Sequence, residues 1–313
     1  VLAYKAPLYG RRTAQFKINP FEFLEACRYF ENFSDEDKAL AYGIVGGTPQ
    51  YLMQLDDKLS IEGNIKNTHL NPSSSIFEEP TNLLKQEVRE PAIYNAVITA
   101  IATGSSKMNE ISNKIDEDTS VCATYIKNLI TLGIVKKESP YGKKSTRKTI
   151  YSIEDNMFHF WYRFVPENTS IISRGAVDLA YSRIAPELSS YMGSVFEDIC
   201  KQYLWKLLLD GKCALNFTDL GRWWGANPKT KSQEEIDIMG TDKDTALFAE
   251  CKWTNEKVDL GVLETLVERS TLFNYKRTHF YLFAKAGFTK GCIDRANEMG
   301  NVTLVTYEDM LNA

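Results

Sequence analysis

Two charged residues sit in a strand whose other side chains give them no reason to be there. Residues 245–253 read Thr-Ala-Leu-Phe-Ala-Glu-Cys-Lys-Trp, a short apolar run that predicts a central strand. Side chains on a strand alternate between its faces, so Glu250 and Lys252 share one face and Cys251 takes the other. Charges are rarely buried unless they are paired or bind a metal. Upstream, Asp237 lies in a second predicted strand, between Ile236 and Ile238, and is expected on the face opposite those two. Two readings stay open on spacing alone. In one, Glu250 and Lys252 form a strand-edge ion pair and Asp237 caps a turn. In the other, Asp237 and Glu250 hold a divalent cation. Mg²⁺ takes one or two carboxylates plus waters and substrate phosphate oxygens. Lys252 would then orient or help deprotonate the attacking water and stabilise developing negative charge. Glu197 lies on a preceding amphipathic helix, about 120° from the centre of its apolar stripe. From that flank it would support the metal through water.

The surrounding pattern fits an α/β unit. Residues 187–313 predict the order α-β-β-β-α-β-α-β. Upstream, residues 88–153 predict three short helices, Glu90–Gly104, Ser106–Ile115 and Asp118–Val135, followed by a two-stranded ribbon turning at Tyr141-Gly142. That arrangement is a winged helix–turn–helix, with the third helix as its recognition helix. Ile126, Leu129, Ile130 and Leu132 are expected on its buried side. Residues 154–186 form a connector dense in aromatics, expected to be core. Residues 1–87 start with two extended pieces (1–19), then a helix from Pro20 and another capped by Ser34. Residues 56–82 are polar and read as turn-rich surface.

Charge is distributed unevenly among these parts. Residues 88–153 carry 10 basic and 6 acidic side chains, while residues 187–313 carry 15 and 19. The basic excess gathers on the ribbon and the helix before it: Lys127, Lys136, Lys137, Lys143, Lys144, Arg147 and Lys148. Such a cluster is an electrostatic footprint for nucleic acid, or the solvated face of a hairpin that docks a protein. Trp223 and Trp224 are expected in core or at an interface rather than on nucleic acid. The net charge of −4 on residues 187–313 disfavours tight phosphate binding unless a basic groove is local.

Six cysteines lie far apart and do not cluster with the three histidines. Neither a zinc site nor a disulfide framework is expected, and the reducing cytoplasm is the expected compartment. No apolar run approaches the roughly 20 residues of a membrane span, so no membrane partner is expected. The sequence starts at Val1 without a signal peptide and reads as a fragment of a longer chain.

The phrases YMGSVFEDIC, GRWWG, EEIDIMG and FAECKW, together with Asp-x₁₂-Glu-Cys-Lys, resemble the PD-(D/E)xK nuclease-like domain of unknown function behind archaeal-type AAA+ ATPases. APLYGRRTAQFKINPF resembles the end of that ATPase core, and GIVGGTPQYL resembles its lid. The resemblance covers essentially the whole chain. It implies an α+β multidomain fold: the core tail and helical lid (1–87), a winged helix–turn–helix (88–153), a connector (154–186) and a restriction-endonuclease-like domain with a central mixed sheet (187–313). It implies Mg²⁺- or Mn²⁺-dependent cleavage of DNA through Glu197, Asp237, Glu250 and Lys252. The alternative is a non-catalytic DNA- or protein-binding arm of an ATP-driven switch. No G-x-x-x-x-G-K-[ST] occurs, and Gly104-Ser105-Ser106-Lys107 lacks the first Gly and follows a helix. ATP would therefore bind only in a longer protein carrying the ATPase core. Arg11 and Arg12 resemble family arginines near its tail.

Overall fold

The computed structural model describes residues 13–313 apart from 15, 17 and 144–147. Arg11, Arg12, Lys144 and Arg147 therefore lie outside the described residues. The architecture is α+β, with a helical N-terminal region and a mixed sheet towards the C-terminus.

Helices α1 (Phe23–Ala26), α2 (Asp35–Val45), α3 (Pro49–Leu52), α4 (Ile61–Asn67) and α5 (Ser75–Glu87) come first. The Ser34 hydroxyl accepts the Asp37 N–H and caps α2 as its sequence suggests. Residues 56–82, read as turn-rich, hold α4 and most of α5, with a turn at 71–74 between them. Their serines include caps: Ser60 accepts from Gly63 and Ser74 from Ile76. Ile76, Pro80 and Leu84 form the buried stripe of α5, so the polar composition belongs to an amphipathic helix. Between α2 and α3, Gly47 allows a close backbone approach. Its carbonyl accepts from Phe21 N, and a Cβ at Gly47 would lie 1.9 Å from Phe21 O.

Helices α6 (Pro91–Ala102), α7 (Met108–Ile115) and α8 (Thr119–Thr131) lead into the ribbon β1 (Val135–Glu138) and β2 (Ile150–Ile153). The ribbon is antiparallel, with Val135 opposite Ile153. Cys122, Ile126 and Leu129 are the buried residues of α8, four and three residues apart. Ile130, expected inside, is exposed, because one residue beyond that stripe the helix has turned about 100° towards solvent. Helix α9 (Asn156–Ile172) buries Phe158, Phe160, Trp161, Tyr162 and Phe164, as expected of core. Helices α10 (Val177–Ile184) and α11 (Leu188–Leu209) follow.

The sheet comprises β3 (Leu220–Ala226), β4 (Gln233–Asp242), β5 (Thr245–Lys252), β6 (Arg277–Ala284) and β7 (Val302–Thr306), in that spatial order. Strand β4 is antiparallel to both β3 and β5, while β5, β6 and β7 are parallel. Helices α12 (Leu260–Ser270) and α13 (Lys290–Met299) form the two parallel crossovers, and α14 (Tyr307–Leu311) ends the chain's regular structure. The order within 187–313 is the expected one. On one face of the sheet, Ile238, Ala249, Cys251 and Phe283 join a core that runs through α11 and α9 into the N-terminal helices. On the other face, Ile236, Phe248, Leu263, Leu266 and Cys292 form a second core with α12 and α13.

Candidate functional site

Ile236 and Ile238 belong to opposite cores, so the simple alternation expected around Asp237 does not hold. The cause lies in the pairing of β3 with β4. Gly221 pairs with Met239 but Trp223 pairs with Ile236, so Arg222 alone faces both Asp237 and Ile238. This is a β-bulge, which inserts one residue and re-aims the side chain beside it. Asp237 is therefore not simply opposite both isoleucines: beside the bulge its Oδ2 accepts the Cys251 N–H of β5 at 2.9 Å.

Glu250 and Lys252 share a face of β5 as expected. Lys252 Nζ donates to Glu250 Oε1 at 2.6 Å, and Arg269 of α12 lies 3.4 Å from Glu250 Oε2. Glu250 is only 7% exposed. Burial and the charge of Asp237 raise its pKa against the pull of Lys252 and Arg269. Burial works to lower the Lys252 pKa, but the Glu250 carboxylate prevails and raises it. The pairing with Glu250 thus favours the charged form of Lys252, which suits it to stabilising negative charge.

Glu197 approaches from α11 and is held by the Arg222 guanidinium. Burial, with the charge of Asp237 added, pushes its pKa up to about 7 despite Arg222. Arg222 itself stays charged and also lies 3.2 Å from Glu235. The Asp237 charge acts on Glu197, Glu250 and Lys252, while Lys252 and Glu250 are directly bonded. Among the described residues, no three His, Cys, Asp or Glu side chains form a ready-made metal cage, because Glu197 and Glu250 are turned towards cations.

Arg222 and Arg269 were not singled out by sequence. Arg222 is the charged residue within an otherwise apolar strand, Gly-Arg-Trp-Trp-Gly, the same signal that marks Glu250. Nothing in the spacing of Arg269 marks it, since its partners Glu234 and Glu250 come from other elements.

The ribbon lysines divide. Lys136 lies 3.3 Å from Asp198 of α11 and 3.8 Å from Glu154, so its charge has partners within the protein. Lys127, Lys137, Lys143 and Lys148 are exposed. Tyr141 is tied to the sheet: its N donates to Arg222 O at 2.9 Å, and its hydroxyl accepts from Thr241 N at 3.1 Å. Trp223 is buried against Phe273, while Trp224 Nε1 donates to Lys148 O at 3.1 Å.

Residues 161–262 match the model of the family DUF234, archaea bacterial proteins of unknown function. The chain is 33% identical over 260 residues to MJECL04, an uncharacterized protein of Methanocaldococcus jannaschii. That match takes in 82% of this chain but spans only 57% of the relative's length. Among solved structures, protein VC1899 from Vibrio cholerae is similar over 77% of this chain and 55% of that one, with 10% identity and a TM-score of 0.32. Can2 from Sulfobacillus thermosulfidooxidans, solved with cyclic tetra-adenylate, is similar over 76% and 53%, with 10% identity and a TM-score of 0.27. Neither likeness bears on the chemistry of this chain. Among the described residues no helix is long and apolar enough to cross a membrane.

Proposed function

We propose that residues 187–313 form a PD-(D/E)xK-like phosphodiesterase that hydrolyses DNA with Mg²⁺ or Mn²⁺. The observation that carries this reading is the bulge at Asp237. Beside it Asp237 accepts the Cys251 N–H, next to Glu250 and Lys252, and burial, with the Asp237 charge added, raises the pKa of Glu197 and Glu250. Crowded carboxylates of this kind gain from a divalent cation, and an all-oxygen donor set suits a hard ion. Asp237 and Glu250 would hold the ion, with Glu197 supporting it through water. When bound, it would supply Lewis-acid polarisation and a more acidic water.

The protein's own contribution is positional and electrostatic. The Cys251 N–H orients the Asp237 carboxylate. Lys252, protonated, would stabilise the negative charge that develops on the phosphate, and such fixed charge is worth most in a water-poor site. Arg222 and Arg269 hold the outer faces of Glu197 and Glu250.

The test is incubation of the chain with single-stranded, duplex and branched DNA in Mn²⁺, Mg²⁺ or EDTA, beside Asp237→Ala and Lys252→Ala. Cleavage abolished by EDTA and by both substitutions supports the reading. Cleavage that survives either substitution refutes this site.

A second reading has its own support. Glu197 and Glu250 already have cationic partners, and the ribbon is seated on the sheet through Tyr141. Both features suit a non-catalytic DNA- or protein-binding module, with residues 88–153 as a winged helix–turn–helix. On this reading the module serves an AAA+ switch whose ATP site lies in a longer protein, a proposal resting on the resemblance alone. Salt-dependent DNA binding without cleavage, in the presence and absence of metal, would favour it.

A further inference from the structure

Strand β3 lies at the edge of the sheet, and among the described residues β4 is its sheet neighbour. A bulged edge strand is held in register by the ladder from one side only, and a slip in register re-aims the side chains beyond it. Here a slip would reach the candidate site, because the bulge residue Arg222 faces Asp237 and holds Glu197. Asp237 itself sits just past the end of the β4–β5 ladder. The final pair is Ile238–Ala249, and beyond it Asp237 Oδ2 takes the Cys251 N–H at 2.9 Å.

Tyr141 holds the bulge from outside the sheet. Its N–H donates to Arg222 O, at the bulge itself, at 2.9 Å. Its ring lies against Gly221: a Cβ there would stand 3.1 Å from Tyr141 Cδ2, so the absent side chain admits the ring. Its hydroxyl accepts the Thr241 N–H at 3.1 Å, one residue beyond the first β3–β4 pair, Leu220–Gly240. The same hydroxyl lies 3.4 Å from Asp219 O and 3.1 Å from Thr241 Oγ1. One side chain thus joins β4 to the segment entering β3, while its backbone holds the extra residue. These contacts come from a residue about 80 positions earlier in the chain, half-buried against the second core.

We propose that Tyr141 is a positioning residue of the candidate site: by pinning the β3–β4 bulge it keeps the Asp237 carboxylate on the Cys251 N–H. The inference deepens the proposed function, on which it rests for the meaning of the site. It makes the ribbon a structural part of the site rather than a separate arm. Residues that orient a metal-binding group from behind lower metal affinity when they are removed.

The test reads the bond between Asp237 and Cys251 directly, as amide hydrogen exchange in EDTA, on the full chain labelled with ¹⁵N at its six cysteines. The Cys251 resonance is identified by its loss in Cys251→Ser. Cys200, within α11, is the internal reference, so a general loss of stability cancels in the Cys251-to-Cys200 ratio. Compared are the unaltered chain, Tyr141→Ala, Tyr141→Phe and Leu84→Ala, the last a core truncation in α5. The ratio is expected to rise about tenfold or more in Tyr141→Ala. It rises less in Tyr141→Phe, which keeps the ring over Gly221 and the main-chain bond, and stays unchanged in Leu84→Ala. Should circular dichroism show Tyr141→Ala unfolded, Tyr141→Phe carries the test, with a rise of about threefold expected. An unchanged ratio in the folded Tyr141 variant, or an equal rise in Leu84→Ala, would overturn the proposal. Binding of Mn²⁺ alone, read separately by electron paramagnetic resonance, should weaken about tenfold in Tyr141→Ala. An unaltered chain that binds no Mn²⁺ counts against the proposed chemistry, and the exchange ratio, taken without metal, still decides the role of Tyr141.

Discussion

Replacing Glu197 by Gln should remove a pH dependence that the fold imposes. The side chain is 17% exposed and faces Arg222. Burial and the charge of Asp237 bring its pKa to about 7, against an ordinary 4.5. Between those values the unfolded carboxyl is ionised and the folded one is protonated, so the folded state binds more protons. Its stabilisation is full below about pH 4.5 and is lost as pH rises through about 7. At about 1.4 kcal/mol per unit, the loss between about pH 5 and pH 7 is about 2 kcal/mol, because some is already gone at pH 5. Gln keeps the shape and a hydrogen bond to Arg222 but does not titrate. Urea unfolding of both proteins at the two pH values, in EDTA, gives the difference of differences. Other raised carboxyls, such as Asp155 at about 6, largely cancel because both proteins carry them. An equal pH dependence in the two proteins would refute the burial assigned to Glu197 and, with it, the geometry of the α11 side of the site.

Three further outcomes follow from the same contacts. Lys252→Ala should lower metal-dependent DNA cleavage by about a hundredfold or more, measured under single-turnover conditions, with the chain still folded by circular dichroism. Lys136→Met should cost about 1 kcal/mol or more of stability in thermal unfolding, since it leaves Asp198 with Lys201 as its remaining partner; the salt slope of DNA binding should not change. Gly47→Ala should destabilise by about 3 kcal/mol or more, because the added methyl meets the Phe21 carbonyl, which must move and strain the bond from Phe21 N to Gly47 O; a melting temperature equal to that of the unaltered chain would contradict that contact.

Much of this architecture was legible in the chain. The apolar periods marked α11, α12 and α13 and the five strands, and the Ser34 cap fixed the start of α2. Glu250 and Lys252 declared themselves as charges in an apolar strand, and the aromatic run of α9 declared itself as core. These are local signals, carried by neighbours within a turn or two of one another. The helices within residues 56–82 were not legible, because capping serines and a polar helix face have the same composition as turns.

Tertiary structure decided what local period cannot encode. The direction of Asp237 depends on a bulge, a mismatch between two strands that neither strand carries alone. The partners of Glu197 and Glu250 are Arg222 and Arg269, brought in from another strand and another helix. Lys136 and Lys148 lie on the same ribbon, yet α11 captures the first while the second stays in solvent. Sequence supplied the charges and their local faces. Only packing determined which charges meet, because Coulomb energy and desolvation depend on distances through space rather than along the chain.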